Sequence, residues 1–193
     1  MAWHRSRGHS WFTRGGVFMT VVITAGHSNE DLGAVYDNTK EADFCADMRN
    51  YVAFYLRNWG IQVKTDGEGR TNAPLRQAVL LAKNSKLALE FHLNASENKT
   101  AYGIEVLALE KHKKIAQEIA YAIKTVTGSR LRGDEGYRPQ NAGQHARLGF
   151  VSAGGLVVEL EFLSNSARFN ILNEKRWLVA KAIAEVIKNY LQP

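Results

Sequence analysis

From residue 19 onward, short apolar runs alternate with stretches of helical periodicity, and this alternation restricts the fold more than any other feature of the chain. Val21-Val22-Ile23 opens a strand that breaks at Thr24-Ala25-Gly26-His27. Residues 41–59 follow as a helix, because Cys45, Met48, Val52, Tyr55 and Trp59 recur at helical spacing, and Gly60 ends it. Residues 62–65 make a second short strand, and 73–85 a helix with Pro74 in its first turn, where a missing N–H costs nothing. Residues 87–95 form a long apolar strand, 102–109 another strand, and 112–126 a helix closed by Gly128. Residues 129–146 are a long polar loop rich in Gly, Arg and Gln, and such loops inside compact domains are functional or mobile. Residues 148–152 and 156–163 are expected as the last strands, followed by a turn at 164–166 and a helix over about 174–190. The order predicts an α/β sheet with helices on both faces.

Residues 1–18 lack either periodicity and read as an appended or poorly ordered leader, in which His4 and His9 are expected to be solvent-exposed, so that 19–193 is expected to be a single domain. The net charge of +6 includes Arg5, Arg7 and Arg14 of that leader, which holds no acid, so the remainder carries only +3. A balance this mild, without a contiguous basic stripe, argues against nucleic-acid binding. Cys45 is the only cysteine, which excludes a disulfide framework and a cysteine-based zinc site. No run approaches the roughly 18 apolar residues of a membrane span, and no apolar segment of a secretion signal follows the leader. The expectation is a protein made and folded in a cytoplasm, without stable membrane insertion.

Three places bear chemistry. Glu41 shares a helical face with Cys45, Met48 and Val52, while Asp43, Asp47 and Arg49 are expected to point elsewhere. An acid heading a core-facing stripe needs a partner, or else serves the helix dipole. In the strand 87–95, alternation places Glu90, His92 and Asn94 together on one face, towards the carboxyl end where open α/β sheets bind ligands. In Val157-Val158-Glu159-Leu160-Glu161-Phe162-Leu163, two acids lie at i and i+2, and burying both is costly unless they are paired or metal-bound. One of them should be functional, with salt bridges to Arg147 or Arg168 as the alternative, and pattern does not choose between them. His27, Glu41 and His92 together form a two-histidine, one-carboxylate set that suits a catalytic zinc with an open position. Glu159 or Glu161 would then be the base.

These residues resemble a known family. Thr24-Ala25-Gly26-His27, Glu41, Phe91-His92-Leu93-Asn94-Ala95 and Val158-Glu159-Leu160-Glu161-Phe162-Leu163-Ser164-Asn165 look like the landmarks of the zinc-dependent N-acetylmuramoyl-L-alanine amidases of the Amidase_3 type. The resemblance implies a twisted, mostly parallel six-stranded sheet flanked by helices. It implies that His27, Glu41 and His92 bind zinc and that Glu159 is catalytic. The substrate would be peptidoglycan, cut between N-acetylmuramic acid and L-alanine. Glu90 and Glu161 depart from the family pattern, which has a small residue at each position; they are expected as partners that orient His92 or nearby donors, or as partners of basic residues in 129–147. A lone amidase domain without an export signal resembles phage endolysins, which wait in the host cytoplasm and reach the wall once the membrane is permeabilised.

Two other readings compete. His27-Ser28-Asn29-Glu30 is a His-x-x-Glu, as in zinc carboxypeptidases, which would make Glu30 the ligand in place of Glu41. A non-catalytic peptidoglycan-binding protein could keep the fold, although it has no use for a buried base at Glu159. His145 in the polar loop is read as exposed rather than as a substrate contact.

Overall fold

The structure, a computed structural model, describes residues 20–140 and 148–192. The leader and residues 141–147, with His145 and Arg147, lie outside the described residues. In chain order the elements are β1 (Val21–Ala25), β2 (Val35–Tyr36), β3 (Thr39–Lys40), α1 (Glu41–Asn58), β4 (Val63–Thr65), α2 (Leu75–Lys83), β5 (Leu87–Asn94), β6 (Glu105–Ala108), α3 (Lys113–Thr127), β7 (Tyr137–Pro139), α4 (Gly149–Ser152), β8 (Leu156–Phe162), α5 (Ser166–Glu174) and α6 (Arg176–Leu191). Six strands form one sheet in the order β4-β1-β5-β8-β6-β7. Its pairings are parallel except β6 with β8, which agrees with the expected mostly parallel sheet.

Side-chain alternation divides the core in two. Val21, Ile23, Leu89, Phe91 and Val158 pack with Met48 and Val52 of α1, Ile119 of α3 and Ile183 of α6 in the larger cluster. Val22, Ala88, Leu107 and Val157, one residue out of step, meet Ala78 and Ala82 of α2 and Phe150 and Val151 of α4 in a smaller one. That second face carries only a nine-residue and a four-residue helix. By the same parity it also presents Glu90, His92, Glu159 and Glu105. The chain leaves β1 towards β4 and leaves β5 towards the opposite edge of the sheet. The crevice between the carboxyl ends of β1 and β5 is therefore the topological switch point, where open sheets of this kind bind ligands.

Several expectations are corrected. Residues 148–152, read as a strand, contain the short helix α4, since a brief apolar run does not distinguish buried strand from buried helix. The expected final helix is present as α6, and a further helix, α5, precedes it and meets it at Lys175. The polar loop holds β7, whose Pro139 is tolerated because the strand lies at the sheet edge. The polar segment after β1 contains the hairpin β2–β3, turned by Asp37 and Asn38, both at positive φ. Arg49 does not point away from the core: it is fully buried. Among the described residues no helix is long and apolar enough to cross a membrane.

Phe91 sits at the centre of the sheet with no exposed surface. Its replacement by alanine should cost about 3–5 kcal/mol, measured by equilibrium denaturant unfolding.

Candidate metal centre

The site begins where β1 ends. His27 has φ 68°, a conformation that costs a non-glycine residue about 1–2 kcal/mol, so surrounding contacts must hold it. They do so through a buried network. Asn72 donates from Nδ2 to the carbonyl oxygens of Ala25, Gly26 and His27 at 3.1, 3.2 and 3.0 Å. Asp66 accepts the amide of Ala25, and Arg49 Nη1 donates to Asp66 Oδ1 at 3.2 Å and to Asn72 Oδ1 at 3.0 Å. The side chains of Arg49 and Asp66 are both 0% exposed. Burial pushes the Asp66 carboxyl up, to about 6, against the pull of the Arg49 guanidinium. Nothing in the periodicity marks this network, because Arg49 lies on the flank of the apolar stripe and Asp66 and Asn72 fall in a polar loop. The available signal was Asp66 directly after a short strand.

Glu41, the first residue of α1, faces His27 from the helix. Its Oε1 lies 3.0 Å from His27 Nε2 and 3.2 Å from His92 Nδ1. Its two oxygens also accept backbone amides, Oε2 from Ala34 and Oε1 from Leu93. One buried carboxylate thereby ties the loop after β1, the head of α1 and the end of β5. Burial opposes its ionisation, but the hydrogen bonds and charges of the two histidines outweigh this and hold its pKa well below the ordinary carboxylate range. The two rings stand 5.1 Å apart in an edge arrangement. Each turns its other nitrogen to a second carboxylate: His27 Nδ1 lies 2.9 Å from Asp31 Oδ2, and His92 Nε2 lies 3.2 Å from Glu90 Oε1. Burial alone would depress both imidazole pKa values, yet Glu41 with Asp31 raises that of His27, and Glu41 with Glu90 raises that of His92 strongly.

Glu159 stands beside this group. It pairs in register with His92 on β5 and with Glu105 on β6, forming a polar row across the sheet. Its Oε2 is buried without a hydrogen-bond partner. Burial raises its pKa to about 7, and the neighbouring His92 only partly counters this. Glu161 does not share these surroundings. Between the His92–Glu159 and Asn94–Phe162 pairs, β8 carries one residue more than β5, so the strand bulges and the expected common face of the two acids is lost. Glu161 instead accepts from the amide of Gly103 and the hydroxyl of Ser129, with Arg168 Nε at 3.7 Å. It is the salt-bridged acid of the pair. Glu105 is likewise satisfied, by Asn94, Arg132 and Arg138.

One nitrogen each from His27 and His92 and one oxygen of Glu41 lie within 4.8 Å of one another, close to the separations of donors placed about 2 Å from one ion. Two imidazoles and a carboxylate are the donor set of an open zinc site, and Glu159, whose Oε2 has no partner, is the cross-strand neighbour of His92. The residues present thus fit a divalent metal. Glu30, the competing ligand, is exposed in the loop; its recorded hydrogen bond is from its own amide to Ser28 Oγ, and it is not among the three donors.

Two glycines make room for these rings. A Cβ at Gly26 would stand 2.3 Å from the His92 ring, and one at Gly33, whose φ is 65°, would stand 2.6 Å from His27 and 2.8 Å from Glu41 Oε2. Gly26→Ala and Gly33→Ala should each lose bound metal, measured by elemental analysis of the purified protein, while the circular dichroism spectrum stays that of the parent. Unchanged metal content in both would show that the rings do not have to hold these positions.

The N-acetylmuramoyl-L-alanine amidase family matches the chain over residues 21–189. A candidate N-acetylmuramoyl-L-alanine amidase of Neisseria meningitidis is 48% identical, with 90% of this chain and 96% of that one covered and a TM-score of 0.84. The catalytic domain of CwlV, an N-acetylmuramoyl-L-alanine amidase from Bacillus (Paenibacillus) polymyxa var. colistinus, is 26% identical over 89% of this chain and 97% of its own, with a TM-score of 0.76. The catalytic domain of CD27L, an endolysin targeting Clostridia difficile, shares the fold at 22% identity and a TM-score of 0.69, with 89% and 97% covered. No curated protein matches the sequence. With a match over nearly the whole domain and a relative at 48% identity, the chain belongs to the N-acetylmuramoyl-L-alanine amidase family.

Proposed function

We propose that this protein is a zinc-dependent hydrolase that cuts the amide between the lactyl group of N-acetylmuramic acid and L-alanine in peptidoglycan. His27, Glu41 and His92 hold the metal and Glu159 moves the proton. Family membership supports the substrate class. The observation that carries the chemistry is the pairing of this donor set with a neighbouring buried carboxylate whose Oε2 has no partner. Zinc, when bound, supplies a Lewis acid for the amide carbonyl and a site at which water ionises near neutral pH. Glu159 takes the proton from the attacking water and later delivers it to the departing L-alanine nitrogen, which would be a poor leaving group as an anion. Burial raises this carboxyl above the ordinary range, the direction that suits a group which must both take and give a proton near neutrality. Glu41 stays ionised throughout, as its depressed pKa requires, and serves as ligand rather than base.

The reaction separates intact stem peptides from glycan strands and so weakens the wall. Digestion of purified peptidoglycan with and without a chelator, followed by mass spectrometry, tests it. The expected products are free peptides with an L-alanine amino terminus and glycan with an intact lactyl group, formed only with metal. Cleavage within the peptide would overturn the amidase reading in favour of a carboxypeptidase-like enzyme. The ligand choice is tested separately: Glu41→Ala should lose zinc and Glu30→Ala should keep it.

Glu159→Gln should keep zinc and lose about 10²–10⁴-fold in kcat. Because the base is the ionised form, activity should fall as pH drops through the titration of Glu159. That group titrates near 7 without metal, and a bound dication moves it lower. A pH–rate profile without an acid limb would remove Glu159 from the role. A lytic role, in which the enzyme accumulates in the cytoplasm and reaches the wall after the membrane is permeabilised, belongs to the same proposal. Fractionation of producing cells before lysis should find the enzyme in the cytoplasm; finding it outside the membrane would sink that part.

A further inference from the structure

Glu90 is a buried acid in contact with a proposed metal ligand that the reaction leaves unused. It lies on β5 two residues before His92 and on the same face, only 3% exposed, with Thr24 and Val157 as its cross-strand neighbours. A carboxylate there is set among Val22, Ala88, Leu107 and Val157, the aliphatic patch that α2 and α4 cover. Burying it costs several kcal/mol unless something pairs with it, and the recorded partner is His92, at 3.2 Å from Oε1 to Nε2. An aliphatic or small side chain would fill this position at no such cost.

The geometry points to what Glu90 does. A neutral imidazole has one N–H and one lone pair, and an ionised carboxylate can only accept. Both nitrogens of His92 face a carboxylate at 3.2 Å, Glu41 at Nδ1 and Glu90 at Nε2; with a metal on Nδ1, the one proton would stay on Nε2 against Glu90. The lone pair is then left on Nδ1, the nitrogen that faces Glu41 Oε1 at 3.2 Å. His27 is arranged in the opposite sense, with Nε2 turned inward and Nδ1 given to Asp31. The two carboxylates differ in their access to water: the side chain of Asp31 is 67% exposed and that of Glu90 is 4% exposed. Water already surrounds Asp31 and can take over from it, whereas Glu90 itself is shielded from bulk solvent. We propose that Glu90 is a positioning residue of the metal centre, which fixes the tautomer and ring orientation of His92 and adds a buried negative charge that favours a divalent cation. This rests on the zinc reading above.

The test uses the full chain stripped of metal, with the zinc dissociation constant read by competition against a chromophoric chelator. Glu90→Ala should weaken zinc binding about 10–100-fold. Glu90→Gln, which keeps the volume and one acceptor oxygen, should recover part of that loss, and Asp31→Ala should have a smaller effect than Glu90→Ala. Thermal unfolding of the metal-free variants separates this from a merely structural role, which would shift the melting temperature and leave the dissociation constant alone. In the zinc-loaded parent, long-range ¹H–¹⁵N correlation should find the His92 proton on Nε2. A proton on Nδ1, or a Glu90→Ala dissociation constant equal to the parent's, overturns the proposal. A parent that binds no zinc overturns the zinc reading itself, so the two failures are distinguishable.

Discussion

The cost of keeping carboxylates out of water shapes this domain. Among the described residues Glu41, Asp66, Glu90, Glu105, Glu159 and Glu161 are all buried. Each isolated charge would destabilise the fold by several kcal/mol, so each needs a partner supplied from elsewhere in the chain. Arg49 answers Asp66, Arg132 and Arg138 answer Glu105, and Ser129 with the Gly103 amide answers Glu161. The two histidines answer Glu41, and His92 also answers Glu90. Glu159 is the exception, with one oxygen unbonded and its pKa raised to about 7. The other five are satisfied by partners within the fold, and the sixth is the one proposed to move the proton.

The sheet determines where this exception can sit. One face is covered by α1, α3 and α6, while the other is covered by the shorter α2 and α4. The end of that second face is left to polar side chains, and it coincides with the switch point between β1 and β5. Strand pairing brings His92, Glu159 and Glu105 into one transverse row, and α1 sets Glu41 beside it with a carboxylate oriented by two backbone amides. The bulge in β8 directs Glu161 elsewhere, so that one acid of the pair meets the histidines and the other stabilises the far side. Two acids only two residues apart in the chain thus lie in different surroundings.

Much of this was legible from periodicity. Helical spacing set Glu41 on the stripe of Cys45, Met48 and Val52, and those residues are buried. Alternation put Glu90 and His92 on one face, and their side chains meet. Such inferences succeed because they depend on only a few residues of local geometry, 3.6 per helical turn and two per strand repeat. They failed where geometry depends on distant partners. Arg49 is buried because Asp66, Thr71 and Asn72 close around it. Residues 148–152 are helical although their apolar run suits a strand.

What the sequence by itself determined is the alternating α/β order, the faces of the elements, and a set of candidate donors: His27, Glu41 and His92, with Glu159 or Glu161 as base. Periodicity left open Glu41 against Glu30 and Glu159 against Glu161, choices that the family resemblance made; tertiary structure shows Glu41 meeting the histidines, Glu159 in register with His92, and which nitrogen of each ring faces Glu41. The reason is that these are choices between neighbouring or chemically equivalent atoms. They are settled by backbone amides, bulges and carboxylates that come from segments more than fifty residues away, to which local periodicity is blind.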